Sequence, residues 1–144
     1  MKKIYFDSAY LVKCYLTDPD SERVRKLATG AGAIFSSSFC LAEVACAVQR
    51  ALREKSITAN QASEVRRAFA LHLREGAITL IPVSDSILYS VQASVATMPA
   101  NLFLRSGDAL HLASAQVEGF SEIWSNDRHM LRAASHFGVA GRSV

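Results

Sequence analysis

Short apolar runs alternate with amphipathic stretches along the whole chain. Four runs are rich in β-branched and aromatic residues and are short enough to be strands. They cover residues 4–6, 33–36, 77–83 and 122–125, and a further strand fragment is expected around residues 139–140. Each run is followed by Ser, Asp or Asn and then by a segment with helical spacing. The pattern therefore predicts strands that alternate with helices.

The segments between the runs carry apolar residues three or four positions apart, which is typical of helices with one buried face. Thr58 and Gln61 form a capping box, Asp108 is predicted to open a helix directly, and Asp127 to cap the last one. The predicted helices cover residues 8–16, 22–29, 39–55, 59–74, 86–97, 109–118 and 128–136. Alternation of this kind predicts an α/β fold of three layers, α/β/α, with a central parallel sheet of four to five strands.

The composition agrees with one globular domain over residues 1–144. Hydrophobic residues make up 50% of the chain and charged residues 20%, which excludes a disordered protein. No apolar run approaches the roughly 20 residues that a membrane span needs. Asp7 interrupts the first apolar run at once, so no signal peptide is expected and the protein is predicted to be cytoplasmic.

Four acids fall where such a sheet collects functional groups, beyond the carboxyl ends of its strands. They are Asp7, Glu43, Asp108 and Asp127. Taken singly, Asp108 and Asp127 can be plain helix caps and Glu43 an exposed helical residue. Together, four converging carboxylates would repel one another by several kcal/mol unless a cation lay between them. Ligands that are all oxygen favour Mg²⁺ or Mn²⁺.

The residues around these acids resemble the motifs of PIN-domain proteins, in particular the VapC-type toxins of toxin–antitoxin pairs. The stretch 5–13 is similar to their opening motif, and 37–43 to a second motif that leads to a helical Glu. The most specific match is 105–113, with its Asp-Ala-Leu-His-Leu-Ala sequence. Residues 125–131 resemble the last motif, in which a hydroxyl residue precedes the Asp by two. The four matches occur in order and span the chain.

The resemblance implies a PIN-like fold and a metal-dependent endoribonuclease with Mg²⁺ or Mn²⁺ as its cofactor. By analogy, the catalytic and metal-binding acids would be Asp7, Glu43, Asp108 and Asp127. The groups around them, which support the acids or position water, would be Ser8 and Ser125, with Arg105 and Asn126 as further neighbours.

The charge balance and the resemblance both bear on partners. The formal charge is +3, from 16 Lys and Arg against 13 acids, and four acids at a metal site would leave nine. The remaining basic excess suits an RNA backbone, so a tRNA or another structured RNA is the expected substrate. The resemblance further implies a homodimer and a cognate antitoxin bound in a groove along helices 39–55 and 56–74. No membrane partner is expected.

Several alternatives are weighed against this hypothesis. Metal-free ribonuclease chemistry would need paired histidines, but His111 lies in an apolar helix and is expected to be a satisfied core imidazole. A phosphoacceptor receiver domain would need paired acids near the first strand. A dehalogenase-type phosphatase would need an acid where Ala9 stands, two residues after Asp7. A non-catalytic PIN-like domain that binds RNA or acts as a scaffold remains the alternative.

Overall fold

The described residues form five short strands that pair in parallel. The computed structural model describes residues 2–144. The strands are β1 (Lys3–Tyr5), β2 (Ala33–Ser37), β3 (Ile78–Ile81), β4 (Glu122–Trp124) and β5 (Ala140–Arg142). β2 lies between β1 and β3, and β4 pairs with β5. A single bridge between Phe6 and Trp124 joins the two groups. Side by side in space, the strands therefore lie in the order β3-β2-β1-β4-β5.

The expected α/β class is confirmed, but the extent of the sheet is a correction. Instead of one sheet of four to five strands, three strands form one sheet and two form another. The cause lies at the end of β1. Phe6 makes the bridge to Trp124, the backbone N–H of Asp7 donates to the Trp124 carbonyl at 3.2 Å, and the chain then turns directly into a helix. Too few residues remain for a longer ladder between β1 and β4.

Seven α-helices connect and flank these strands within residues 2–144. They are α1 (Ser8–Tyr15), α2 (Ser21–Gly30), α3 (Cys40–Arg53), α4 (Ala59–Arg74), α5 (Asp85–Ala96), α6 (Ser106–Val117) and α7 (Arg128–Ala133), which continues as a 3-10 helix over Ala134–Phe137. The capping box at Thr58 and Gln61 is present as predicted. None of these helices is long and apolar enough to cross a membrane.

The start of α6 differs from the prediction. Asp108 was expected to open this helix, but Arg105 occupies the N-cap position with extended backbone and Asp108 is the third helical residue. Ser106 and Gly107 are weak helix formers, so local propensity does not indicate the earlier start. Gly107 matters here because a Cβ on it would lie 3.4 Å from the Phe39 ring. α6 therefore packs closely against the beginning of α3.

Two hydrophobic cores lie on opposite faces of the strands. In β1, Ile4 belongs to one core and Tyr5 to the other, as the alternation of side chains along a strand requires. The core that contains Tyr5 includes α6 and the 3-10 helix, and the core that contains Ile4 includes α2, α3 and α4. This arrangement is the predicted three-layer architecture, and it leaves the carboxyl ends of β1 and β4 open at one edge.

The contact between β5 and α7 predicts the effect of substituting a glycine. A Cβ on Gly141 would lie 2.7 Å from Leu131 Cδ2 and 3.1 Å from Leu131 Cα, so Gly141→Ala must push the strand away from the helix. We expect it to lower the free energy of unfolding by about 1–3 kcal/mol in urea titrations. Gly30→Ala is the matched control, because no atom lies within 4 Å of its Cβ. The free energy of unfolding of Gly30→Ala should equal that of the unsubstituted protein or exceed it by up to about 1 kcal/mol. An equal loss in both variants would contradict this packing argument.

Candidate active site

Asp7 is a buried carboxylate at the point where β1 gives way to α1. It caps α1, since its Oδ1 accepts the backbone N–H of Tyr10 at 2.9 Å. Its Oδ2 accepts the Ser125 hydroxyl at 2.6 Å. Burial raises the pKa of Asp7 above its ordinary value, and the nearby charge of Asp108 adds to the rise, while these two hydrogen bonds oppose it.

Asp127 caps the helix after β4 in the same way. Its Oδ1 accepts the backbone N–H groups of His129 at 2.9 Å and Met130 at 3.0 Å. Its own N–H donates to the Ser125 hydroxyl at 2.9 Å. A single hydroxyl group therefore connects Asp7 with the turn that carries Asp127. Ser125 is fully buried, so this connection is fixed by its surroundings.

Glu43 lies in the first turn of α3 and reaches the same edge. Its Oε1 accepts a hydrogen bond from the Ser8 hydroxyl and another from His111 Nε2 at 2.7 Å. Partial burial by itself would raise the pKa of Glu43, but the hydrogen bond and charge of His111 and the bond from Ser8 hold it below its ordinary value. Glu43 is thus kept ionised in one orientation.

His111 is a site residue that sequence reasoning missed. It is buried as expected, but its Nε2 donates to Glu43 and its Nδ1 lies 2.8 Å from the Tyr5 hydroxyl. Tyr5 Oη in turn accepts the backbone N–H of Ser37 at the end of β2. A signal existed in the sequence: His111 lies one helical turn after Asp108, and Tyr5 lies on the strand two residues before Asp7. The apolar setting of the helix concealed it.

Asp108 and Arg105 complete the cluster. Burial, followed by the charge of Asp127, raises the pKa of Asp108, while Arg105 acts in the opposite direction. Asp108 Oδ2 is buried and accepts no hydrogen bond, although Arg105 Nε lies 3.5 Å away. Arg105 Nη2 also donates to Asp127 Oδ2 at 3.2 Å. One guanidinium therefore contacts two of the four acids.

Asn126 is the predicted neighbour that does not contact the cluster. Its Nδ2 donates to Asp20 Oδ2 at 3.0 Å, and its Oδ1 accepts the Tyr10 hydroxyl at 2.8 Å. These bonds attach the turn after β4 to α1 and to the start of α2. Asn126 thus supports the position of Asp127 through the backbone, whereas Ser8, Ser125 and Arg105 contact the acids themselves.

The donor atoms of the residues at this edge are of the type that binds a divalent cation. All four acids supply oxygen, the donor that Mg²⁺ and Mn²⁺ prefer, and Asp108 Oδ2 is a buried acceptor without a hydrogen bond. As arranged, however, no group of three or more His, Cys, Asp or Glu side chains within residues 2–144 is positioned to hold a metal ion. The carboxylates are instead engaged by hydroxyls, an imidazole and a guanidinium. Metal binding at these residues stays a prediction.

A parallel α/β fold with acids gathered at its carboxyl edge is the arrangement expected of a PIN domain. The family model for the PIN domain matches residues 4–135, and the chain belongs to this family. Among characterised relatives, Ribonuclease VapC46 of Mycobacterium tuberculosis (strain ATCC 25618 / H37Rv) is 33% identical over 142 residues, which covers 97% of this chain and 96% of the relative. The resemblance to VapC-type PIN-domain proteins is thereby confirmed.

Solved structures agree with the fold. VapBC2 from Rickettsia felis, bound to a DNA fragment from its promoter, superposes with a TM-score of 0.69 at 17% identity, over 99% of this chain and 98% of that one. FitAcB from Neisseria gonorrhoeae gives a TM-score of 0.70 at 13% identity, over 96% and 95% of the two chains. At such identities the likeness shows the fold alone.

The burial of Asp7 predicts a variant that gains stability. A pKa raised on folding means that the charged carboxylate destabilises the folded state above that pKa. Asn keeps the acceptor for the Tyr10 N–H without the charge, whereas its amide nitrogen replaces the oxygen that accepts the Ser125 hydroxyl and so offsets part of the gain. We expect Asp7→Asn to raise the free energy of unfolding by about 1 kcal/mol at neutral pH in EDTA. In thermal unfolding, this change would raise the melting temperature by about 3 °C.

Asp85→Asn is the control for this substitution, because Asp85 is exposed in the first turn of α5. An acid at a helix N-terminus is mildly favourable, so its loss should leave stability equal or slightly lower. A drop in the melting temperature of Asp7→Asn would show that the charge of Asp7 and its bond from Ser125 stabilise the fold by more than burial of the charge destabilises it, contrary to the burial argument.

Proposed function

We propose that this chain is a metal-dependent endoribonuclease that acts in the cytoplasm as the toxin of a type II toxin–antitoxin system. The observation that supports the proposal is a set of contacts at one sheet edge. Ser125 joins Asp7 to Asp127, and Arg105 joins Asp127 to Asp108. Ser8, the residue after Asp7, and His111 hold Glu43. The name of the relative Ribonuclease VapC46 supports RNA as the substrate class.

The roles proposed for the residues follow from their contacts. Asp7, Asp108, Asp127 and Glu43 would hold Mg²⁺ or Mn²⁺, whose chemistry is to make hydroxide available near neutral pH and to offset charge on the phosphate. Ser125 fixes the spacing of Asp7 and Asp127 through its two hydrogen bonds. His111 and Ser8 keep Glu43 ionised and oriented. Attack by water would leave 5′-phosphate and 3′-hydroxyl ends.

The surface beside the acids suits a nucleic-acid backbone. Arg105 at the start of α6 and Arg128 and Arg132 on α7 are all exposed. Arg128 directly follows Asp127 in the chain. Phosphate groups that pass this edge would meet cations on both helices. A tRNA or another structured RNA is the substrate class that we propose.

An antitoxin partner is proposed for the cleft between α3 and α4. Leu41, Val44 and Val48 line one side of it, Phe69 and Leu73 line the other, and its volume is about 280 Å³. Leu41 is 45% exposed, although it is apolar. An apolar segment of the antitoxin would cover these side chains. A solved neighbour from Klebsiella pneumoniae is a toxin–antitoxin complex.

A homodimer is also proposed, and α5 offers a surface for it. Leu88, Tyr89 and Val95 of this helix are apolar or aromatic and largely exposed. A contiguous group of such side chains is commonly covered in a protein–protein contact.

A non-catalytic PIN-like domain that binds RNA or acts as a scaffold is the second candidate function. It is favoured by the absence, within the described part of the chain, of an arrangement ready to hold a metal ion. The two candidates differ in their products: a scaffold would bind RNA and leave it intact.

Cleavage assays separate the candidates. We expect the purified protein to cut total RNA with Mg²⁺ or Mn²⁺, and EDTA to abolish the cleavage. Asp7→Asn should lose at least about 100-fold in rate, because a proposed ligand of the catalytic cation loses its charge. Asp85→Asn, the same chemical change at an exposed helix start, should retain full activity. Cleavage that persists in EDTA and in Asp7→Asn would refute the metal mechanism, and mapping the cut ends would identify the chemistry used instead.

Growth assays test the antitoxin and its cleft. Expression of this chain alone should stop growth, and co-expression with its upstream neighbouring gene should restore it. Leu41→Asp places a charge in the cleft, so the variant should remain toxic with the antitoxin present. Val117→Asp is the matched control, because Val117 is similarly exposed, at 49%, at the end of α6. Rescue of both variants would place the antitoxin elsewhere, and equal growth in all cultures would argue against a toxin.

A further inference from the structure

Arg105 occupies an unusual position among the basic residues of this chain. It is the N-cap of α6, and its side chain is 63% exposed. Its guanidinium lies 3.2 Å from Asp127 Oδ2 and 3.5 Å from Asp108 Oδ2. Among the residues that the structure describes, no other basic side chain lies within ion-pair distance of either acid. One exposed cation thus balances two of the proposed metal ligands.

This ion pair is poorly suited to satisfy Asp108. The Oδ2 atom of Asp108 receives no hydrogen bond, because the guanidinium lies at 3.5 Å and outside hydrogen-bond geometry. Ion pairs made by exposed side chains are weak, since water competes for both partners. A divalent cation would contact the same oxygens at shorter distance and with twice the charge. Arg105 can therefore be displaced without disturbing the core.

We propose that Arg105 is an internal counter-ion that a divalent cation displaces from Asp108 and Asp127, and that the displaced guanidinium then binds a phosphate of the RNA. The inference rests on the proposed function, because it takes these acids to be metal ligands. It assigns Arg105 two successive partners. Without the cation it neutralises the acids, and with the cation it is free to contact substrate.

The chemistry of the side chain suits the second partner. A guanidinium binds phosphate oxygens with two parallel N–H donors, a geometry that Lys does not offer. Arg105 lies at the first turn of α6, next to the acids, where the reacting phosphate would lie. Its exposure leaves room for the side chain to turn outward. Arg105 should therefore oppose cation binding while it favours RNA binding.

Titration calorimetry with Mn²⁺ tests the first step without using activity. Arg105→Gln removes the charge and should tighten the dissociation constant for Mn²⁺ about five-fold, because the cation no longer competes with the guanidinium. Arg142→Gln is the matched control. Arg142 also pairs with a carboxylate at 3.5 Å, that of Glu122, and is 55% exposed. An equal or weaker affinity in Arg105→Gln than in this control overturns the proposal.

Fluorescence anisotropy with a short labelled RNA tests the second step. The measurement uses Ca²⁺ or EDTA, and a gel verifies that the RNA remains intact. Arg105→Gln should weaken RNA binding severalfold in Ca²⁺ and much less in EDTA, because only the displaced guanidinium is free. In Ca²⁺ the slope of log affinity against log salt should fall by about 0.7, the value for one phosphate contact on a single strand. The same loss in Ca²⁺ and EDTA overturns the exchange of partners.

The outcomes separate this inference from the proposed function. If the unsubstituted protein binds no Mn²⁺, the metal site itself fails and the inference fails with it. If that protein binds Mn²⁺ and cleaves RNA but Arg105→Gln behaves like Arg142→Gln, only the inference fails. Tighter Mn²⁺ binding together with weaker, Ca²⁺-dependent RNA binding supports it, because a merely structural role for Arg105 would not change the two affinities in opposite directions.

Discussion

The site depends on the placement of a buried negative charge at the end of β1. A carboxylate inside an apolar strand would cost several kcal/mol, so Asp7 lies where the strand ends and α1 can supply a backbone N–H. The Ser125 hydroxyl provides its second hydrogen bond. Because Ser125 also accepts the N–H of Asp127, the position of one acid determines that of the next. The edge between β1 and β4 is organised by this pair of bonds.

Like charges at this edge are balanced by three sets of groups of the chain itself. Hydroxyl and backbone donors compensate Asp7, an imidazole and a hydroxyl compensate Glu43, and Arg105 compensates Asp108 and Asp127. His111 has a further effect, because its hydrogen bonds connect α6 with α3 and, through the Tyr5 hydroxyl, with β1. The cluster is therefore part of the packing between layers as well as a group of acids.

Sequence patterns predicted most of the fold because the strands are apolar runs and the helix caps depend only on residues that are near in sequence. The capping box at Thr58, the cap at Asp127 and the alternation in β1 all depend on neighbours within a few residues. The errors arose where contacts between residues far apart in sequence determine the bounds of a helix or the extent of the sheet. α6 begins before Asp108, where Gly107 packs against α3, and the sheet divides because β1 and β4 meet over one bridge. Likewise, the bonds from His111 to Tyr5 and Glu43 span 106 and 68 positions of sequence.

Because groups of the chain itself balance the charge of the acids, the structure determines which acids a competing ion or partner can reach first. A site whose charges were balanced only by a bound ion would unfold or distort when that ion was lost. Here every acid has a hydrogen bond or an ion pair with another group of the chain, so folding and ion binding are separable. The groups that compensate Asp7 and Glu43 are buried and fixed, whereas Arg105 is exposed. Any competition for the acids, by an ion, a phosphate or a cationic side chain of a partner, must therefore act first at Asp108 and Asp127.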